Sequence, residues 1–442
     1  MEHVIRLLSI AFLAFLYGFV AQRFQLFPYE QVNAALTQAT TRFQEENVFK
    51  SHYLKAAPYD RYGTRILSAS DSQPGLTLIT SYWEDMGWNA GIKLIDSEGR
   101  VVHRWRTDVI ELWPDAPDWV KVVGGYVHGS HLFDNGDVLF NIEHTGLFMI
   151  DSCGAVKWHL DHPTHHSIAR DSDGNFWVPG NVKLSRSEPQ DMKYLRQYPG
   201  LTPTAKSPVY EDRLLKVSPE GKVLADISLL KVLYDNNLQR YIVKISKRRN
   251  GDLLHLNDID VLDASMAAQY PLFAAGDIVV SLRHLHMIFV MDPLTGVVKW
   301  HATDSWIEQH DPDFSGDGWI TVFDNNNDFG GQSGPRRGEM LGGSRVVAVQ
   351  PDTGKMKVNY PQKDGELFYT KTGGKQQQLE NGNLLLTEAK AGRVFEVTAT
   401  GELVWEWINK PNDKNQVAEV MEGTRYAISP DQVASWPCHI PQ

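Results

Sequence analysis

Residues 276–300 read GDIVVSLRHLHMIFVMDPLTGVVKW, and this stretch decides the fold. A glycine opens a β-rich run, Gly276-DIVVSL. A second short run, IFVMD, follows. A turn then carries Gly296, and a third run, VVKW, ends in an aromatic residue. Alternating apolar residues between Gly, Asp and Pro punctuation are the mark of half-buried antiparallel strands. Working outward, the same unit recurs at Gly75-LTLIT, Gly136-DVLF, Gly174-NFWV, Gly318-WITVF and Gly382-NLLL. Second runs follow as IKLID, LFMID, LLKVS, VVAVQ and VFEVT, with turn glycines at 99, 154, 221, 354 and 401. Third runs include RVVHRW, AVKW and ELVWEW. Three visible strands and a weaker fourth, six times over, predict an all-β chain folded as a six-bladed β-propeller. A β-sandwich is the alternative, but six copies of one pattern favour radial repetition.

Composition bounds the function. The chain has 442 residues, 42% apolar and 22% charged, which suits a packed globular body. Its net charge is −11 and it has no extended basic run, which argues against a nucleic-acid partner. Cys153 and Cys438 show neither metal spacing nor a CxxC pattern. A disulfide and two free thiols fit equally well. Leu7–Ala21, LLSIAFLAFLYGFVA, has the length of a signal-peptide core or a short span. Phe19 stands where a cleavage site wants a small residue, so an uncleaved signal anchor is expected over residues 1–27, with the body of the protein on the periplasmic or extracytoplasmic side. Residues 28–70 read as a stalk or linker, helix-compatible over 29–50 with Val32, Leu36 and Phe43 as a sparse stripe. The propeller is expected over 71–442. Two segments, 106–127 and 183–212, interrupt the repeat and read as lids or binding walls.

The chemistry begins with a register. His128, His166 and His310 each stand eight residues before a repeat glycine, at Gly136, Gly174 and Gly318. Equivalent positions in a radial array face one axis, so the three imidazoles are expected in a central funnel. The plainer reading is a hydrogen-bonded set that stitches the inner strands. Three further segments stand out: His255-Leu-Asn257, Ser281-Leu-Arg283-His284, and Gln309-His310-Asp311-Pro312 leading into Phe323-Asp324-Asn325. An interblade salt bridge would account for Arg283, and a turn for Asp324 and Asn325.

Taken in order, HLND, SLRH, GVVKW, EQHDP and VFDNN resemble the core motifs of the bacterial arylsulfotransferases, and the upstream HHSIARDSDGN resembles the family's paired-histidine segment. The resemblance covers about residues 70–410. It implies a nucleophilic histidine that becomes transiently sulfated, which falls on His310. It implies His255, Arg283 and one histidine of the 165–166 pair as ligands of the sulfuryl oxygens. His166 is preferred to His165 because it holds the eight-residue register. Asn257, His128, His165, Asp324 and Asn325 are expected to line or bind the substrate. Two departures stand out: the gap between His255 and Arg283 is longer than in the family, and the extra N-terminal sandwich domain of some members is not seen.

These residue types suit the chemistry. Neutral imidazole is a competent nucleophile near neutral pH and splits one transfer into two. Guanidinium and imidazole N–H groups suit the charge that spreads over non-bridging oxygens. A second histidine can protonate the leaving oxygen and later deprotonate the acceptor. No cofactor or metal is expected, and no phosphate-cradling loop points to a nucleotide sulfate donor. The expected reaction moves a sulfuryl group from an aryl sulfate donor to a phenolic acceptor. The rivals are a sulfate-ester hydrolase on the same site, a membrane-tethered binding scaffold, and a quinoprotein dehydrogenase, against which the six-fold count and the HLN and QHDP segments speak.

Overall fold

The computed structural model describes residues 53–117, 120, 126–184, 209–243, 251–328, 338, 340–362 and 367–438, together with several residues of an N-terminal helical stretch. The chain divides into two units, Met1–Leu54 and Lys55–Gln442. In the first, the described residues between 6 and 20 are helical and exposed, Phe12, Leu13, Phe15 and Leu16 among them. No helix among the described residues is long and apolar enough to cross a membrane. The expected stalk helix over 29–50 and most of the 183–212 insertion lie outside the described residues.

The second unit is a ring of six antiparallel blades. Each is written here from its inner to its outer strand. Blade 2 comprises Val127–Leu132, Val138–Ile142, Gly146–Ile150 and Val156–Leu160; blade 3 comprises Ala169–Arg170, Phe176–Leu184, Val209–Val217 and Val223–Ser228. Blade 4 comprises Leu256–Val261, Ile278–Leu282, Met287–Met291 and Val298–Ala302; blade 5 comprises His310–Phe314, Ile320–Asp324, Arg345–Val349 and Met356–Tyr360. Blade 6 comprises Lys375–Gln378, Leu384–Glu388, Arg393–Val397 and Leu403–Ile408. Blade 1 closes the ring. Its inner strand is the C-terminal Val420–Tyr426, paired with Leu76–Trp83, Asn89–Ile95 and Val101–Arg106. The last strand of the chain thereby locks the first blade in place. Gly63–Ile66, in the segment read from sequence as a linker, adds a fifth strand outside Leu403–Ile408.

Packing corrects one expectation. The middle strands of each blade are buried on both faces, not half-buried. In blade 4, Ile278, Val280 and Leu282 pack toward blade 3 while Val279 packs toward blade 5. The neighbouring strand divides the same way, with Met287, Phe289 and Met291 to one side and Ile288 and Val290 to the other. A blade lies between two neighbours, so its middle strands become nearly continuous apolar runs. Outer strands such as Val156–Leu160 keep a wet face.

A second closure follows the inner strand of blade 1. The helix Pro430–Ala434, capped by the Ser429 hydroxyl on the Gln432 amide, carries the chain across to blade 2. Trp436 is buried between His103 and Trp105 of blade 1 and the Asp134–Gly136 turn of blade 2, and Cys438 pairs with Cys153 of blade 2. The two cysteines left open by sequence are therefore joined, 285 residues apart in the chain. Gly136 is required at this contact. Its φ is +85°, and a Cβ there would stand 2.6 Å from the Trp436 ring.

Candidate active site

The inner strands pair with their neighbours through Leu132–Val138, Arg170–Phe176, Val261–Ile278, Phe314–Ile320, Gln378–Leu384 and Tyr426–Leu76. Four residues upstream of the first member of each pair stand His128, His166, Asn257, His310, Gly374 and Glu422. All six line one axial cavity, together with Gly129, Ser167, Asp258, Asp311 and Lys375. The register read from sequence is thus a physical ring, and three of its six positions are histidines. Blade 4 departs from the eight-residue spacing because Leu262–Asp277 is inserted between its inner and second strands. Asn257 takes the ring position there, and His255 sits two residues upstream.

The imidazoles converge. Ring centroids are 4.0 Å apart for His128 and His166, 5.1 Å for His166 and His255, and 6.5 Å for His166 and His310. His166 and His255 both hold left-handed backbone, with φ of 57° and 55°. Such conformations are costly for a side-chain-bearing residue and collect at functional sites. Gly129 lets blades 2 and 3 approach closely enough to seat His166, since a Cβ there would overlap the His166 carbonyl oxygen.

Hydrogen bonds assign the proton on His310. The Asn325 amide nitrogen donates to the carbonyls of Thr370 and Gly373 at 2.8 and 2.7 Å, which fixes its Oδ1 as an acceptor. His310 Nδ1 lies 2.6 Å from that oxygen and 3.1 Å from the Glu308 carbonyl, so it must carry the hydrogen. The lone pair is then on Nε2, where the Gly373 amide approaches at 3.3 Å. Burial, and after it the Arg283 charge, hold the His310 imidazole well below its ordinary pKa of 6.5. Burial does the same to His165, His166 and His255. The site is therefore a cluster of neutral imidazoles beside one guanidinium.

Arg283 opens a short 3-10 turn, Arg283–Leu285, at the end of the second strand of blade 4. Its backbone amide donates to the His255 carbonyl at 3.0 Å, and its Nη2 donates to His284 Nε2 at 3.2 Å. His284 in turn donates from Nδ1 to the Asp252 carbonyl at 3.1 Å.

Three residues expected to touch substrate are placed elsewhere. Asp324 is fully buried, and its carboxylate accepts from the amides of Ile307 and Asn326 and the Nε of Arg345. It braces blade 5 and does not line the axial cavity, because Ile320–Asp324 is the second strand of its blade and not the inner one. Asn325 acts on His310 and not on the cavity. His165 lies behind His166, Nδ1 to Nδ1 at 2.8 Å, and is buried. Sequence reasoning missed Gly374 and Lys375, although they stand eight and seven residues before Gly382 and so obey the same register. It also missed Glu422, whose strand comes from the far end of the chain. Beside the histidines, Lys375 pairs with the ring residue Glu422 at 2.9 Å near Asp258, Asp311 and Asp313, whose carboxyls burial pushes up.

A pH dependence follows. Because His310 stays neutral below the ordinary imidazole range, a single-turnover reaction at its Nε2 is expected to keep its rate as pH falls through 6.5, with the acid limb lower still. Rapid-mixing measurements over the acid-to-neutral range give the limb directly; one centred at 6.5 or above would mean an unperturbed imidazole.

A six-bladed ring with a histidine-lined axial site defines the class of protein. The sequence model of the arylsulfotransferase (ASST) family matches residues 129–410, and the chain belongs to that family. No curated protein matches it significantly. Among solved structures, it is similar to a protein of unknown function from Bacteroides caccae, at 14% identity and a TM-score of 0.47 over 76% of this chain and 94% of that one. It is also similar to a catalytically inactive virginiamycin B lyase from Staphylococcus aureus with quinupristin, at 9% identity and a TM-score of 0.38 over 79% of this chain and 89% of that one. A third is the WD40 propeller domain of Doa1, at 8% identity and a TM-score of 0.40 over 87% of this chain and 99% of that one.

Proposed function

We propose that the protein moves a sulfuryl group from an aryl sulfate to a phenolic acceptor through a sulfohistidine on His310, without a nucleotide donor. The observation that carries this reading is the Asn325 amide, which holds the hydrogen on Nδ1 and so puts the nucleophilic lone pair of a buried neutral imidazole on Nε2, where it accepts a long 3.3 Å hydrogen bond from the Gly373 amide that an approaching sulfur would displace. Nε2 attacks sulfur, the S–O bond to the aryl group breaks, and its electron pair leaves on the phenolate. The sulfated ring keeps its Nδ1 hydrogen and is a good leaving group for the return step. Arg283 supplies the positive charge for the sulfuryl oxygens, and His166 and His255 flank the same space.

The test is steady-state kinetics with a chromogenic aryl sulfate, with and without added phenol. Parallel double-reciprocal lines and a sulfated phenol product are expected. Release of inorganic sulfate at the same rate in the absence of phenol would instead make the protein a hydrolase, and no turnover in either condition would leave a binding scaffold. The Cys153–Cys438 bridge supports a propeller housed in an oxidising, extracytoplasmic compartment, with the apolar N-terminal stretch as its membrane tether.

A further inference from the structure

His310 and His255, whose rings both approach His166 with centroids 6.5 and 5.1 Å away, are backed by groups of different charge. His310 Nδ1 rests on a neutral amide, Asn325 Oδ1, at 2.6 Å. His255 Nδ1 rests on a carboxylate, Asp252 Oδ2, at 2.5 Å. The carboxylate accepts only, so His255 carries its hydrogen on Nδ1, as His310 does. His255 Nε2 is buried and has no hydrogen-bond partner among the described residues. Neutral His255 therefore offers a lone pair at Nε2 and has no N–H with which to hold a sulfuryl oxygen, which departs from the role the family resemblance implies.

The difference in backing group decides which ring can accept a proton. An imidazolium forming on His310 would face only an amide dipole. One forming on His255 would face the negative charge of Asp252, which favours the charged ring over one that faces only an amide. The 2.5 Å separation is that of a hydrogen bond, too short for two ligands sharing one metal ion. His284 strengthens the arrangement. Its ring stacks near His255 with centroids 4.7 Å apart, and it binds the Asp252 backbone carbonyl on one side and Arg283 on the other. Asp252 is thus held at its backbone by the residue that holds the oxyanion-binding guanidinium.

We infer that Asp252 is a positioning residue that makes His255 the base of the acceptor half-reaction, an assignment that rests on the sulfohistidine reading above. In that step His255 Nε2 takes the hydroxyl proton of the acceptor phenol. The phenol oxygen bonds to sulfur, the S–N bond breaks, and its electron pair returns to His310 Nε2. The His255 imidazolium, stabilised by Asp252, passes its proton to the phenolate that leaves the next donor molecule, so the cycle balances without any further reactant.

The experiment uses the full-length protein and Asp252→Asn, which keeps the size of the side chain and an acceptor oxygen but removes the charge. The donor half-reaction is read as the burst of nitrophenolate from nitrophenyl sulfate. The acceptor half-reaction is read with a series of phenols of falling acidity. The burst rate is expected to be within about twofold of wild type, because nitrophenolate leaves without a proton. Transfer to the least acidic phenols is expected to fall about 100-fold or more, in the range of general-base effects, while transfer to nitrophenols already ionised at the assay pH changes little. Equal losses across all acceptors, or an equally slowed burst, would overturn the inference. Asp252→Glu, which restores the charge, is expected to recover part of the loss for weakly acidic phenols; failure to do so with a normal burst would also count against it. Absence of any burst in the wild type would instead remove the sulfohistidine reading beneath it.

Discussion

His310→Ala is expected to reduce sulfuryl transfer to background at every substrate concentration. The substitution removes the atom that forms the intermediate, so the loss falls on kcat and cannot be recovered by saturation. Mass spectrometry of the wild type quenched with donor alone should place one added sulfuryl group on the peptide containing His310, and the variant should carry none. The substitution also strips Asn325 Oδ1 of its buried partner. That costs about 1–3 kcal/mol of stability and should show as a lowered unfolding midpoint. Circular dichroism of the folded variant separates this from the catalytic loss. Substantial residual transfer, or a label found on His166, would transfer the nucleophile role elsewhere.

Arg283→Lys is expected to lose about 100- to 1,000-fold in kcat, the range seen when one preorganised donor to a developing oxyanion is removed. Lysine keeps the positive charge but not the planar fork, and it cannot reproduce the Nη2 contact to His284 while also reaching a sulfuryl oxygen. The pH profile distinguishes charge from geometry. The Arg283 charge is one of the causes holding His310 and His255 below the ordinary imidazole range. Arg283→Lys should therefore leave the acid limb where it is. Arg283→Gln removes the charge, so both imidazoles protonate more readily and the acid limb should move to higher pH. If Lys and Gln behave alike in both rate and profile, Arg283 serves the fold and not the transfer.

The axial acidic group beside the histidines shows how a propeller shaft tolerates like charges. Asp258, Asp311 and Asp313 are buried together, and each carboxyl is pushed up first by burial. Lys375, half-buried beside them and paired with Glu422, is the counter-charge supplied by blade 6. The Lys375 charge is thus engaged by its acidic neighbours, whereas the Arg283 guanidinium stands beside His284, next to His255.

Much of this was legible along the chain. The blade count, the inner-strand positions of His128, His166 and His310, and the assignment of Arg283 to the end of a strand all follow from the turn glycines and the period-two runs. These depend on local backbone preferences, above all φ > 0 at positions such as Gly136, Gly174 and Gly382, and a local preference repeats wherever its residue repeats. The register failed at blade 4 because the Leu262–Asp277 insertion changes the count without moving the strand. What tertiary structure alone decided is pairwise and long-range. Val420–Tyr426 closes blade 1, Cys438 reaches Cys153, Asn325 fixes the His310 hydrogen, Asp324 turns to Arg345, and Asp252 backs His255. None of these is encoded in spacing, because a side chain's partner is set by which strands the ring brings together, and neutral or charged backing of an imidazole is visible only once both groups stand within hydrogen-bond reach.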